Sequence, residues 1–123
     1  MGERPIVRSD GTFVRDYIYV GDVVSAYLQT AEAVSRPAVT GEAFNFASGS
    51  QISVLDMVGA IADVMGGRLP KPTILNTVTN EIKEQRLSID KARRVLGWEP
   101  RVSLREGLAK TVAWYRSYLE ANA

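Results

Sequence analysis

Short runs of β-branched and aromatic residues alternate with helix-length periodic stretches along the 123 residues. That order restricts the chain to a single α/β or α+β domain over residues 1–123, with no repeat and no linker. Residues 5–8 and 13–19 predict two strands, and the turn chemistry of Ser9-Asp10-Gly11-Thr12 between them favours a hairpin. Asp22 suits the N-cap of a helix over 23–34, where Val23, Ala26, Tyr27, Thr30, Ala31 and Val34 recur at helical spacing before Arg36-Pro37 ends it. Residues 43–47 form a low-charge strand of the kind covered on both faces. Ser53 with Asp56 caps a second helix, whose stripe is Val54, Leu55, Val58, Ile61, Ala62 and Met65 and whose stop is Gly66-Gly67. Two further short strands are expected at 73–75 and 85–89. Ser88 or Asp90 caps a short helix over 91–96, closed by Gly97. Ser103 and Glu106 form a full capping box for a last helix over about 104–120, expected to bury Leu104, Leu108, Val112, Tyr115 and Leu119.

Composition limits the chemistry more than the fold. Hydrophobic residues at 46% and charged residues at 24% fit a globular domain. Fifteen Lys+Arg against fourteen Asp+Glu give +1, so nothing electrostatic argues for nucleic acid or an anionic membrane surface. No apolar run approaches the ~20 residues of a membrane span. Charged Glu3 and Arg4 follow Met1 in place of a signal peptide, so a cytoplasmic location is expected. The sequence contains no Cys and no His. Thiolate chemistry, His-ligated zinc and His-dependent triads are therefore excluded for these residues. Any reaction must use carboxylates, Lys, Arg, Tyr, Ser or a borrowed cofactor.

The glycines form neither a GxGxxG fingerprint nor a P-loop, and no Tyr is followed four residues later by Lys. Arg8 and Arg15 are the first functional candidates, since a guanidinium fork takes phosphate in a bidentate grip. Each could equally be an exposed strand residue or pair with Asp10 or Asp16. Asp22 reads as a cap in preference to an acid catalyst. Tyr17, Tyr19 and Tyr27 read as packing residues with a polar tip. Trp98 pins the turn between two helices, and Lys91, Arg93 and Arg94 form a solvated face.

Four motifs then occur in order over residues 3–120. Arg15-Asp16-Tyr17-Ile18-Tyr19-Val20 followed by Asp22 resembles a signature of nucleotide-sugar epimerases and dehydratases, the extended short-chain dehydrogenases/reductases. Gly41-Glu42-Ala43-Phe44-Asn45-Phe46 resembles a strand of that family. Leu96-Gly97-Trp98-Glu99-Pro100, with Leu104, Glu106 and Gly107-Leu108, resembles its closing segment, and Thr111-Val112-Ala113-Trp114-Tyr115 continues it. Residues 5–12, together with Glu81-Ile82, Gln85 and Leu87-Ser88, are most similar to the CDP-glucose 4,6-dehydratase branch.

The resemblance implies the C-terminal, substrate-binding part of a Rossmann-like NAD(P)-binding enzyme, with short strands and about four helices. By resemblance the whole enzyme uses NAD to oxidise C4 of the sugar, eliminates water across C5–C6, and returns the hydride to C6. The NAD fingerprint and the Tyr/Lys pair belong to the family's N-terminal part, so no cofactor site, catalytic residue or metal site is expected in these residues. What the resemblance transfers is substrate recognition. Arg15 matches the diphosphate contact, Pro5, Ile6, Val7 and Arg8 match the strand along the nucleotide base, and Arg86 lies beside a second basic or polar contact. CDP-glucose is the implied ligand. A free-standing, non-catalytic binding or assembly module is the alternative, and a truncated product without function is a third. Self-association is expected, because the strand at 43–47 and the helix at 54–65 would lack the neighbours the family gives them.

Overall fold

The computed structural model describes residues 3–67 and 69–122. In chain order the elements are β1 (Ile6–Val7), β2 (Val14–Asp16), α1 (Val20–Ala33), β3 (Gln51–Ser53), α2 (Val54–Val64), β4 (Thr73–Ile74), α3 (Asp90–Leu96) and α4 (Leu104–Ala121). The expected class, short strands with four helices, is what forms.

The expected β1–β2 hairpin does not. β1 pairs in parallel with β4, Ile6 against Thr73 and Val7 against Ile74. β2 pairs antiparallel with β3, Val14 against Ser53 and Asp16 against Gln51. The turn at 9–12 closes on itself instead: Ser9 Oγ accepts from the Gly11 amide, and the Asp10 carboxylate accepts from the Thr12 amide and hydroxyl. Gly11 sits at φ +88°, and a Cβ there would lie 2.4 Å from Leu55 Cγ, so the β2–α2 approach requires glycine.

Ser53 and Ser103 cap α2 and α4 as expected, but the capping box at α4 is only half made: the Glu106 carboxylate pairs with Lys110 one turn on at 2.7 Å in place of the Ser103 amide. Ser53 Oγ accepts from the Asp56 amide at 3.0 Å, and Ser103 Oγ from the Glu106 amide at 3.3 Å. α3 ends at Gly97, left-handed at φ 71°. Its cap differs from expectation: Ile89 holds the N-cap position, and Ser88 accepts from the Asp90 amide.

Asp22 is not an N-cap either. Tyr19 precedes the first turn of α1, while the Asp22 carboxylate, buried, reaches across the fold. It accepts from the amides of Arg101 and Val102, both at 3.1 Å. A buried carboxylate satisfied by two backbone donors ties α1 to the entry of α4.

The core centres on Trp98, fully buried with Ala26 and Ala92, and packed against Ile18, Phe44, Phe46, Ile89 and Leu96. Phe46 meets the indole edge-on at 4.9 Å, and the indole N–H donates to Ser25 Oγ at 3.0 Å. Trp98 therefore pins the α3–α4 turn onto α1, as its position suggests.

The α1 face is rotated from the expected one. Small residues Ala26 and Ala33 face the core, because the indole fills the space, while Val20, Val24, Tyr27, Leu28 and Val34 are exposed. On α4, Leu104, Leu108 and Val112 are half-buried, whereas Tyr115 and Leu119 are exposed. The α2 stripe is half-buried throughout.

Residues 43–47 are extended but belong to no strand. Phe44 and Phe46 are clamped by the Trp98 cluster, yet among the described residues no backbone hydrogen bond from another segment pairs with residues 43–47. The Lys91 ammonium donates to the Ala43 carbonyl at 2.9 Å. A strand needs a neighbour, and no described segment supplies one. Residues 85–89 likewise stay outside strands; an isolated parallel bridge joins Glu84 to Val14.

Candidate functional site

β2 carries Arg15 between two structural neighbours. Phe13, buried on one side, lies with its ring centroid 5.7 Å from the guanidinium carbon. Asp16 on the other side is consumed by the turn at 48–50, accepting from the Ser48 amide at 2.9 Å, the Ser48 hydroxyl at 3.0 Å and the Gly49 amide at 3.2 Å. This fixes the end of β2 and keeps Asp16 away from Arg15.

The guanidinium itself is half-buried. Nη1 donates to the Val14 carbonyl at 2.9 Å and Nη2 to Glu81 Oε2 at 3.3 Å. The Nε–H takes part in no hydrogen bond among the described residues, so the fork retains capacity for a further acceptor. The surface pairing weighed for Arg15 does occur, but its partner is Glu81, sixty-six residues on, rather than Asp10 or Asp16.

Arg8 stands exposed just after β1. Its guanidinium enters no ion pair among the described residues. Asp10 is not its partner; hydrogen bonds from the Thr12 amide and hydroxyl hold the Asp10 carboxyl below its ordinary value. In β1, Val7 is buried, Ile6 is exposed, and Pro5 before them is half-buried. Arg86 is exposed and pairs with Glu84 at 3.2 Å.

The segment after β4 links all three cations. Its Leu75 and Thr77 amides donate to the Val7 and Arg8 carbonyls at 2.8 and 2.9 Å, extending β4 along β1. It then crosses to β2, where Lys83 O accepts from the Val14 amide and the Gln85 amide donates to Val14 O. Arg8 thus lies at its start, Arg15 beside its middle and Arg86 at its end.

The expected solvated face at 91–94 is partly engaged. Lys91 donates to Glu42 Oε2 at 2.5 Å, which holds the Glu42 carboxyl below its ordinary value, and lies 5.0 Å from the Phe44 ring. Arg93 pairs with Glu99 and Asp90.

Sequence reasoning missed an apolar cleft of about 670 Å³ between α2, α4 and the β2–α1 connection. Tyr17, Tyr19, Met57, Leu104, Leu108 and Trp114 line it, and none of Arg8, Arg15 and Arg86 does. Tyr17 and Tyr19, read from the sequence as packing residues, and Trp114, in the closing motif, carried the signal. Lys110 lies at its edge, 5.5 Å from the Tyr19 ring; its pairing with Glu106 at 2.7 Å raises its pKa. Among the described residues no cluster of acidic side chains could hold a metal ion. No described helix is long and apolar enough to cross a membrane.

No protein-family model matches the sequence. Individual proteins do. UDP-glucose 4-epimerase of Mycolicibacterium smegmatis is 35% identical over 116 residues, a match covering 94% of this chain and 36% of that enzyme. The crystal structure of UDP-glucose 4-epimerase from Thermotoga maritima, solved with UDP-glucose, superposes with a TM-score of 0.82 at 34% identity, over 96% of this chain and 36% of that one. MoeE5, solved with UDP-glucuronic acid and NAD, superposes with a TM-score of 0.82 at 32% identity, over 94% and 38% of the two chains. The fold is thus one shared with Rossmann-like extended short-chain dehydrogenase/reductase epimerases and dehydratases. Homologues of the chain are nucleotide-sugar epimerases and related 4,6-dehydratases. The chain spans about a third of the length of these relatives.

Proposed function

We propose that residues 1–123 are the nucleotide-sugar-binding C-terminal part of an extended short-chain dehydrogenase/reductase of the epimerase/dehydratase kind. The observation that carries this reading is the match over nearly the whole chain to about a third of UDP-glucose 4-epimerases, and Arg15 stands in the motif by which residues 15–22 resemble that family. Arg15 contacts the diphosphate, Pro5, Ile6, Val7 and Arg8 run along the base, and Arg86 supplies a second polar contact. The half-buried Arg15 fork, with an unused donor, supports its role.

CDP-glucose is the ligand named by the resemblance of residues 5–12 and 81–88. UDP-glucose is the second reading, favoured by the relatives at 34–35% identity that carry its name. In the whole enzyme NAD would be held outside these residues, since they contain neither a GxGxxG fingerprint nor a Tyr-x-x-x-Lys pair. This chain binds and orients the nucleotide sugar; hydride and proton transfer need groups it does not carry.

One experiment tests both halves of the reading. The chain is titrated with CDP-glucose and with UDP-glucose in the presence of NAD, while amide and sugar proton signals are followed by NMR. Amide shifts at residues 6–8 and 15 are expected, with sugar signals that do not change over time. Shifts confined to the cleft at Trp114, or accumulation of a 4-keto sugar, contradict it.

A further inference from the structure

Each of two candidate phosphate-binding cations is already paired with a glutamate, and both glutamates come from one short segment. Glu81 Oε2 lies 3.3 Å from Arg15 Nη2, and Glu84 Oε2 lies 3.2 Å from Arg86 Nη2. The two pairs differ in burial. The Arg86 and Glu84 side chains are 61% and 62% exposed, whereas Arg15 and Glu81 are 25% and 48% exposed. Water screens the first pair far more than the second.

The geometry points to Glu81 as a resident counter-anion that holds one donor of the Arg15 fork, Nη2, and must turn away when a diphosphate grips the Nε–Nη2 edge with both donors. This deepens the reading of Arg15 as the diphosphate contact, on which it rests. A phosphate gripped bidentately at the Nε–Nη2 edge needs the Nη2 donor that Glu81 now holds, so the two anions exclude one another there. Glu81 can move without disturbing a core: its residue is exposed and belongs to no strand or helix. Asn80 before it, left-handed at φ 64°, turns the chain there. Arg15 itself cannot follow, because its Nη1 bond to Val14 O and its position over the Phe13 ring tie it to β2. The anion therefore meets a fixed cation guarded by a movable competitor.

The competition lowers affinity and sets a threshold for what binds. A nucleoside diphosphate, with two phosphoryl groups, outbids one carboxylate; a neutral nucleoside gains nothing from displacing it. Removing the competitor strengthens diphosphate binding by about the worth of a partly exposed ion pair, roughly 2- to 5-fold in Kd.

The test compares wild type, Glu81→Gln, Glu81→Ala and Arg15→Ala in the full chain, each checked for a native amide spectrum and titrated with inorganic pyrophosphate, UDP and uridine. Both Glu81 variants are expected to bind pyrophosphate and UDP about 2- to 5-fold more tightly, with uridine unaffected. Arg15→Ala is expected to weaken both anions. If Arg15→Ala weakens them while the Glu81 variants bind no more tightly than wild type, Glu81 is not a competitor and the Arg15 reading survives. If Arg15→Ala changes nothing, or no variant binds either anion, the Arg15 reading and this inference fall together.

Discussion

Trp98→Ala is expected to leave the chain largely unfolded at 37 °C. Trp98 is 0% exposed and is the largest fully buried side chain among the described residues. Its indole joins segments distant in sequence: Phe46 edge-on, Ser25 by hydrogen bond, and Ala26 and Ala92 by packing. Truncating a buried Trp to Ala costs about 3–5 kcal/mol through lost transfer energy and the cavity left behind. A domain of this size has about 5–15 kcal/mol in all, and much of this core is only half-buried. Thermal unfolding followed by circular dichroism measures the effect, with a fall of roughly 10–20 °C in midpoint or no cooperative transition expected. Trp114→Ala is the control. That indole stacks on Tyr118 at 5.1 Å but is largely exposed, and its removal should change stability by less than about 0.5 kcal/mol. Equal losses in the two variants would show that the core does not centre on Trp98.

The second large effect is self-association. We propose that two copies of the chain pair through residues 43–47 and the exposed stripe of α1. Phe44 and Phe46 anchor the extended segment in the core, while its backbone edge is unpaired among the described residues. Such an edge accepts a strand from a second chain without rearranging its own side chains. Val20, Val24, Tyr27 and Leu28 add an exposed apolar stripe at helical spacing, with Tyr27 72% exposed. Covering each such side chain fully contributes roughly 1.5–3 kcal/mol. Light scattering over a dilution series should show a dimer or larger species at high micromolar concentration, dissociating on dilution. Tyr27→Lys with Leu28→Lys should shift the transition to at least tenfold higher concentration. A native monomer at millimolar concentration would refute the pairing.

Local signals made much of this architecture legible. Ser53 and Ser103 mark helix starts because their oxygens accept from amides three residues on, a relation contained in four residues of sequence. Gly97 marks a helix end for the same kind of local reason. What stayed hidden depends on distant partners. Nothing near residues 5–19 indicates that β1 pairs with residues 73–74 and β2 with residues 51–53, so the short connection favoured a hairpin that does not form. Asp22 looks like a cap from its neighbours, yet its acceptors' donors lie about eighty residues away. On α1 the apolar residues exceed one face, and periodicity alone could not choose between Tyr27 and Ala26; Trp98 decides, because it leaves room only for the smaller residue. The candidate site divides likewise. Arg15 was visible through its motif, whereas its ion-pair partner Glu81 and the cleft at Trp114 exist only after folding.

The most direct test of the Arg15 assignment is the affinity of the chain for CDP-glucose and UDP-glucose, measured by calorimetry or NMR titration in wild type, Arg15→Ala and Arg86→Ala. With only the residues of this chain to contact the ligand, millimolar affinity is expected in wild type. A charge-assisted contact to phosphate contributes about 1.5–3 kcal/mol, so Arg15→Ala should lose roughly 10- to 100-fold. Arg86→Ala, which removes an exposed cation already paired with Glu84, should lose no more than about 5-fold. Equal affinity of wild type and Arg15→Ala for both nucleotide sugars would contradict the account, because the diphosphate would then lie elsewhere than at β2.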